Sequence, residues 1–487
     1  MYVLAGDRVR VEMLVTVSLV VLTLHVWGSE GRLGRLHFSE MEKFSRSQLH
    51  RAGSSANRRN TDWSAGARRF RKLGAGASPA VWKKNAAAAG DVMLLGLPVG
   101  QGDATLIVCP EHDGNVIVFD MGSTQQAWTP GRVRDYLQTS TLNGVRPLME
   151  RVSTIIVSHP HTDHYNYIPD VFPQTPARGR GSRARGGGGR DHNMPARFNR
   201  RRRAAYKAFV AGSIADYKYS GMSEWLTAVG AQTFNNGNSC FLDSCRAGNS
   251  WNEKLCGASS PVSFKVIAAN MGSGTNVNEK SVVLKIILGT QTALLVGDFE
   301  DESQAELVNR VNNEAPGLLV SNIYKVSHHG ASRLANYPAF LQAISANHAF
   351  ISSAYATVSA YGHPKCETLD RLLAVGTLLA TPTHEVDCTD ANRNLVRRQL
   401  QSSIFSTTPT ANQICVVEFS MPPSGTISPP RLVCEGFRLS QYRDLLRRSM
   451  SPRQRHLAMK AVRKWRNRKR PPPGVRPGKP FNRLITG

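Results

Sequence analysis

Aromatic residues are scarce, at 7% of 487 residues, and acidic side chains are outnumbered, 35 against 61 Lys plus Arg. A chain this poor in large apolar rings, with 41 Gly and 26 Pro, leaves part of its length without material for a core. Long hydrophobic runs are missing too. The longest, Leu14–Trp27, is too short to span a bilayer as a helix, which excludes a polytopic membrane protein. Composition likewise excludes collagen, a coiled coil and a disulfide mini-scaffold.

What is abundant is positive charge, and it is unevenly placed. Residues 29–90 carry 13 basic and 4 acidic side chains, residues 171–208 carry 11 and 1, and residues 438–487 carry 16 and 1. The rest of the chain therefore has a net charge of −8, against +26 for the whole. Basic arms on a mildly acidic body differ from a basic nucleic-acid groove, although the arms suit polyanions. Residues 29–90 read as a disordered basic arm, 176–203 as a low-complexity Arg/Gly insertion, and 438–487 as a basic tail.

Arg8 and Arg10, the apolar run and the small residues that follow it read together as a signal peptide over residues 1–28. That implies secretion or the lumen of the secretory pathway. Met13 offers a second start; initiation there would remove both arginines and leave the protein in the cytoplasm. Eight cysteines, an even count, fit an oxidising compartment, and Cys240, Cys245 and Cys256 cluster in one polar loop.

From Asp91 onward the texture is that of a folded domain, 91–437. Val92–Leu97, Ala104–Cys109, Val116–Asp120 and Val152–Ser158 are apolar runs of strand length. The same grammar returns at Val262–Ala268, Ser281–Leu288, Thr292–Val296, Ile323–Ser327 and Ala349–Ser353. Helical spacing appears at 300–313, Leu334–Ile344 and Glu367–Val375. Gln413–Phe419 and Arg431–Val433 close the fold. Two clusters of strands with interspersed helices predict an α/β architecture of two stacked sheets.

Chemistry concentrates at strand ends. Ser158-His159-Pro160-His161-Thr162-Asp163-His164 follows an apolar strand and places three of the 14 histidines beside a carboxylate. Imidazoles and carboxylates crowded at one turn are the donor set of a divalent metal. Val296-Gly297-Asp298 and Lys325-Val326-Ser327-His328-His329-Gly330 end two further strands in the same manner. Either alone could be a helix cap or a surface pair; three such ends in one chain point to a shared site.

These motifs resemble the metallo-β-lactamase superfamily, and within it the hydrolase-like domain of the bacterial DNA-uptake family ComEC. Pro98-Val99-Gly100-Gln101-Gly102-Asp103-Ala104, Val118-Phe119-Asp120-Met121-Gly122, His159–His164, Asn278-Glu-Lys-Ser281, Asp298, His328-His329-Gly330 and Tyr361-Gly362-His363-Pro364 carry the likeness over about residues 91–420. The resemblance implies an αββα sandwich with metals at one edge. His159 and His161 would ligate one ion, Asp163 and His164 the other, Asp298 would bridge them, and His328 or His329 would complete the second site. Asp120 and Asp103 would lie behind the ligands. A further histidine expected between residues 164 and 298 is absent: His192, inside the insertion, is the only one there, and Asn278 takes the expected position.

The resemblance implies one or two divalent ions, zinc or manganese. Metal-activated water would attack, held or deprotonated by Asp163, while His363 protonates the leaving oxygen or contacts phosphate. The expected activity is phosphodiester hydrolysis, with nucleic acid the substrate. Two alternatives stand beside it: an esterase of small phosphodiesters or choline head groups, and a secreted polyanion-binding protein whose metal site has decayed.

Overall fold

The structure, a computed structural model, describes residues 15–16, 19–20, 90–174, 206–245, 251, 253–272, 276–355, 361–410 and 413–436. The expected arm, insertion and tail lie outside the described residues. So does the expected signal segment, apart from a two-residue ladder, Val15–Thr16 against Leu19–Val20.

Two sheets stack on each other. The first has eight strands. Val92–Gly96, Ala104–Val108 and Val116–Met121 form an antiparallel meander. Val152–Val157 and Lys207–Val210 extend it in parallel, and Gln232–Thr233 forms that edge. Gln413–Met421 and Arg431–Gly436 complete the other edge. The second sheet has seven strands, in which Val262–Ala269, Val283–Leu288 and Gln291–Leu295 run antiparallel. Ile323–Lys325, His348–Ile351 and Ile404–Ser406 then add in parallel.

Period-two patterning builds the core between the sheets. Leu284, Ile286 and Leu288 face Val92, Leu94, Ile107, Phe119 and Ile156 in one buried cluster. The preceding Val283 turns to the opposite face, where Leu307, Val311, Phe340, Leu341, Leu369 and Leu372 cover the second sheet. Those residues come from the helices Asp301–Glu314, Pro338–Ile344 and Cys366–Val375.

Sequence and structure differ at several elements, the unexpected helices Pro130–Thr139 and Met222–Val229 among them. The helix expected from Leu334 begins at Pro338, whose fixed φ suits the first helical position; Leu334 stays 56% exposed. An unanticipated hairpin, Ala380–Thr389 with Leu395–Ser402, stands apart from both sheets.

All eight cysteines are paired: Cys109–Cys256, Cys240–Cys245, Cys366–Cys388 and Cys415–Cys434. Among the described residues, no helix is long and apolar enough to cross a membrane.

Candidate metal centre

Parallel strands bring their C-terminal ends to one edge, and both sheets deliver side chains there. In the first sheet, Val116–Met121 lies beside Val152–Val157, so Asp120 meets the turn that follows the second strand. The Ser158 amide and hydroxyl each donate to Asp120 at 2.7 Å. Asp120 adopts φ 57° and is fully buried, and its carboxylate stands 2.8 Å from His164 Nδ1. Burial pushes the Asp120 carboxyl up, while His164 opposes that shift.

The second sheet meets this turn at Gly297, whose φ of +56° and lack of a side chain are both required. A Cβ there would lie 2.6 Å from the Ser158 side chain. The contact carries Asp298 against the histidine turn. Four imidazole Nε2 atoms surround Asp298 Oδ2: His164 at 3.2 Å, His329 at 3.5 Å, His328 at 3.6 Å and His159 at 4.0 Å.

Two ligand groups result. His159, His161 and Asp298 form one, and Asp163, His164 and His329 form the other. Of the adjacent histidine pair, His329 therefore joins Asp163, at 3.5 Å. Both histidines take left-handed backbone, φ 47° and 54°, which turns consecutive side chains into the same site. Burial raises the Asp163 carboxyl, but His329 and His164 outweigh it and hold the group at about 2. Burial holds His159 and His161 below the usual imidazole range.

The donor set fits divalent cations on one further observation. Nε2 of His159, His164 and His329 and Oδ1 of Asp298 are buried without a hydrogen bond. Unpaired buried polar atoms are costly, and several of them converging on one point are accounted for by a cation. A third grouping, Asp103 with His164 and Asp298, also holds an unpaired oxygen, Asp103 Oδ1, but is set apart by its geometry. Asp103 faces the Nδ1 side of His164, which Asp120 already occupies, and Lys325 pairs with it. A fourth, Cys109 with Glu111 and Cys256, contains a disulfide rather than two thiolates.

Asp103 lies behind the ligands, and the turn that carries it is tightly seated. The Asp103 amide donates to the Asp163 carbonyl at 3.1 Å, and Ser352 Oγ donates to the Gly102 carbonyl at 2.8 Å. A Cβ on Gly102 would come 2.2 Å from the Gly122 carbonyl oxygen, so glycine is required. Asn278 is buried, its Nδ2 donating to Glu300 Oε1 at 2.6 Å.

His363 is 7% exposed, its ring 5.6 Å from His328 and 6.4 Å from His329. Burial, helped by positive charge on His328, His329 and Lys365, holds this imidazole well below its usual range.

Sequence reasoning overlooked Glu300 and gave Lys325 no role. Lys325 stood inside a quoted motif, and Glu300 sits two residues beyond Asp298. A lone carboxylate at that spacing carries no signal by itself.

Comparison with known proteins agrees with this geometry. A family model described as the metallo-beta-lactamase superfamily matches residues 97–192. The competence protein ComA of Neisseria gonorrhoeae is 31% identical over 115 residues, covering 24% of this chain and 16% of that protein. This chain thus matches only a small part of that relative's length. Among solved structures, a CmlA beta-hydroxylase mutant aligns over 80% of this chain and 60% of its own, at 11% identity and a TM-score of 0.33. CmlA, a diiron beta-hydroxylase from Streptomyces venezuelae, aligns over 64% and 54%, at 12% identity and a TM-score of 0.32. At these scores the two structural likenesses carry no argument.

Proposed function

We propose that this chain, similar over residues 97–192 to the metallo-β-lactamase superfamily, carries out metal-dependent hydrolysis of phosphodiesters, with nucleic acid as the substrate. The observation that carries this reading is the ring of four Nε2 atoms around Asp298 Oδ2, three of them buried and unpaired. His159, His161 and Asp298 would hold one ion, and Asp163, His164 and His329 a second. Zinc or manganese suits nitrogen and carboxylate donors. Such ions supply a nucleophile at neutral pH and Lewis acidity at a phosphoryl oxygen. Asp120 fixes His164 through Nδ1, and His363 offers a neutral N–H to a phosphoryl oxygen.

The nucleic-acid assignment is supported by the similarity to a competence protein and by the basic arms. Four disulfides and the N-terminal apolar run favour an oxidising, secretory destination. The test is elemental analysis of the purified full chain, with assays on single-stranded DNA and on a chromogenic diester. One to two ions per chain and cleavage of both substrates are expected. His161→Ala should lose metal and turnover together. A wild-type chain without metal would overturn the reading and favour the polyanion-binding alternative. Cleavage of the small diester alone would favour the small-substrate esterase.

A further inference from the structure

The first ligand group is short of a donor. No histidine among the described residues between His164 and Asp298 completes it, and Asn278 directs its amide nitrogen at Glu300. His328, whose Nε2 lies 3.6 Å from Asp298 Oδ2, is the candidate to complete it.

Each imidazole facing Asp298 has its Nδ1 next to an oxygen. His164 Nδ1 lies 2.8 Å from Asp120, His329 Nδ1 2.8 Å from the Ser352 carbonyl, and His159 Nδ1 3.0 Å from Ser158 Oγ. Metal-bound histidines characteristically use one nitrogen in this way, which fixes the ring and leaves the other lone pair for the ion. His328 matches them in position but not in bonding. Its Nδ1 lies 3.1 Å from Glu300 Oε1 without a hydrogen bond, and its Nε2 lies 3.6 Å from Asp298 Oδ2.

Glu300 is built for this task. It is 5% exposed and is held from two sides, by Asn278 Nδ2 on Oε1 at 2.6 Å and by Asn276 Nδ2 on Oε2 at 2.5 Å. A carboxylate fixed by two amides has little freedom to follow a moving ring, so the ring must follow it.

We propose that His328 is a ligand of the first metal ion, replacing the absent histidine, and that Glu300 is the positioning residue that orients it. Adjacent residues of one turn then serve different ions, His328 the first and His329 the second. This rests on the proposed metal-dependent function. Because His328 keeps 20% of its side chain exposed, the ligand added here lies on the open side of the centre.

The test is titration of Co²⁺ into chelated full-length protein, read by calorimetry and by visible absorption. Wild type should show two binding steps. His328→Ala should weaken one step at least about 100-fold and change the cobalt spectrum, leaving the other step intact. Glu300→Gln should weaken the same step by about 10–100-fold, the usual cost of losing a ligand's supporting partner. His328→Asn tolerates left-handed backbone and guards against misfolding; it should still lose the step. His329→Ala should weaken the other step. Two undisturbed steps in both His328 variants would overturn the assignment while leaving the metal-dependent reading standing. Absence of binding in wild type would remove both.

Discussion

Lys325 and Asp103 are each 1% exposed and paired, with Lys325 also donating to the Gly297 carbonyl at 3.1 Å. A buried charge stripped of its partner is far costlier than a buried pair replaced as a unit. Lys325→Met should therefore lower unfolding free energy by about 3–5 kcal/mol. Adding Asp103→Asn should restore part of that in urea melts. A single variant as stable as wild type would show that water reaches Asp103. At His363 the neutral ring leads to a different expectation. His363→Ala should keep its metal and lose about 10²-fold in turnover on activated and unactivated diesters alike, the size of one lost hydrogen-bond donor to the reacting group. A deficit that shrinks with a nitrophenolate leaving group would assign it the acid role instead.

At the scale of elements, the loop that carries His363 is tied down at its far end. Cys366, which opens a helix, is bridged to Cys388 in the hairpin, and the Lys365 amide donates to the Gly330 carbonyl at 2.9 Å. The double variant Cys366→Ala/Cys388→Ala should cost about 3 kcal/mol by loop entropy. It should raise KM for diesters while metal content stays constant; unchanged kinetics would show that packing alone holds the loop. The hairpin itself escaped notice in the sequence for a physical reason. Its strand Leu395–Ser402 is exposed over most of its length, and Arg397 pairs across to Asp387 at 2.8 Å and Glu385 at 3.2 Å, so the apolar alternation that marks a half-buried strand is missing. Strands such as Val283–Leu288, buried on both faces, were legible as apolar runs. The ligand turns were legible because donors crowd together in sequence. The choice between His328 and His329 was not, because it depends on backbone angles that neighbouring residues do not announce. Cys109 and Cys256 lie 147 residues apart, beyond any local pattern.

For the whole molecule, deletion of residues 438–487 removes 16 basic side chains. It should weaken DNA or heparin binding and flatten its salt dependence, leaving small-diester turnover intact; lost turnover would place the tail in the folded body. Metal uptake should also respond to pH. Burial alone would lower His164 and His329, but Asp298 and the carboxylates beside them raise both imidazoles above their usual range. Metal-free protein thus holds protons that ions must displace, so affinity should fall as pH falls, by about tenfold per unit for each proton displaced. Calorimetry in buffers of different ionisation heat counts those protons. The ligands also come from two layers: His159 through His164 from the first sheet, Asp298, His328 and His329 from the second. A cation bound between them closes the sandwich at its edge, and its binding energy becomes folding energy. At a free concentration 100 times the dissociation constant, that linkage adds about 2.7 kcal/mol to stability. Chelation should then lower Tm and open the sandwich to proteases, which makes the lifetime of the chain a measure of the free metal around it.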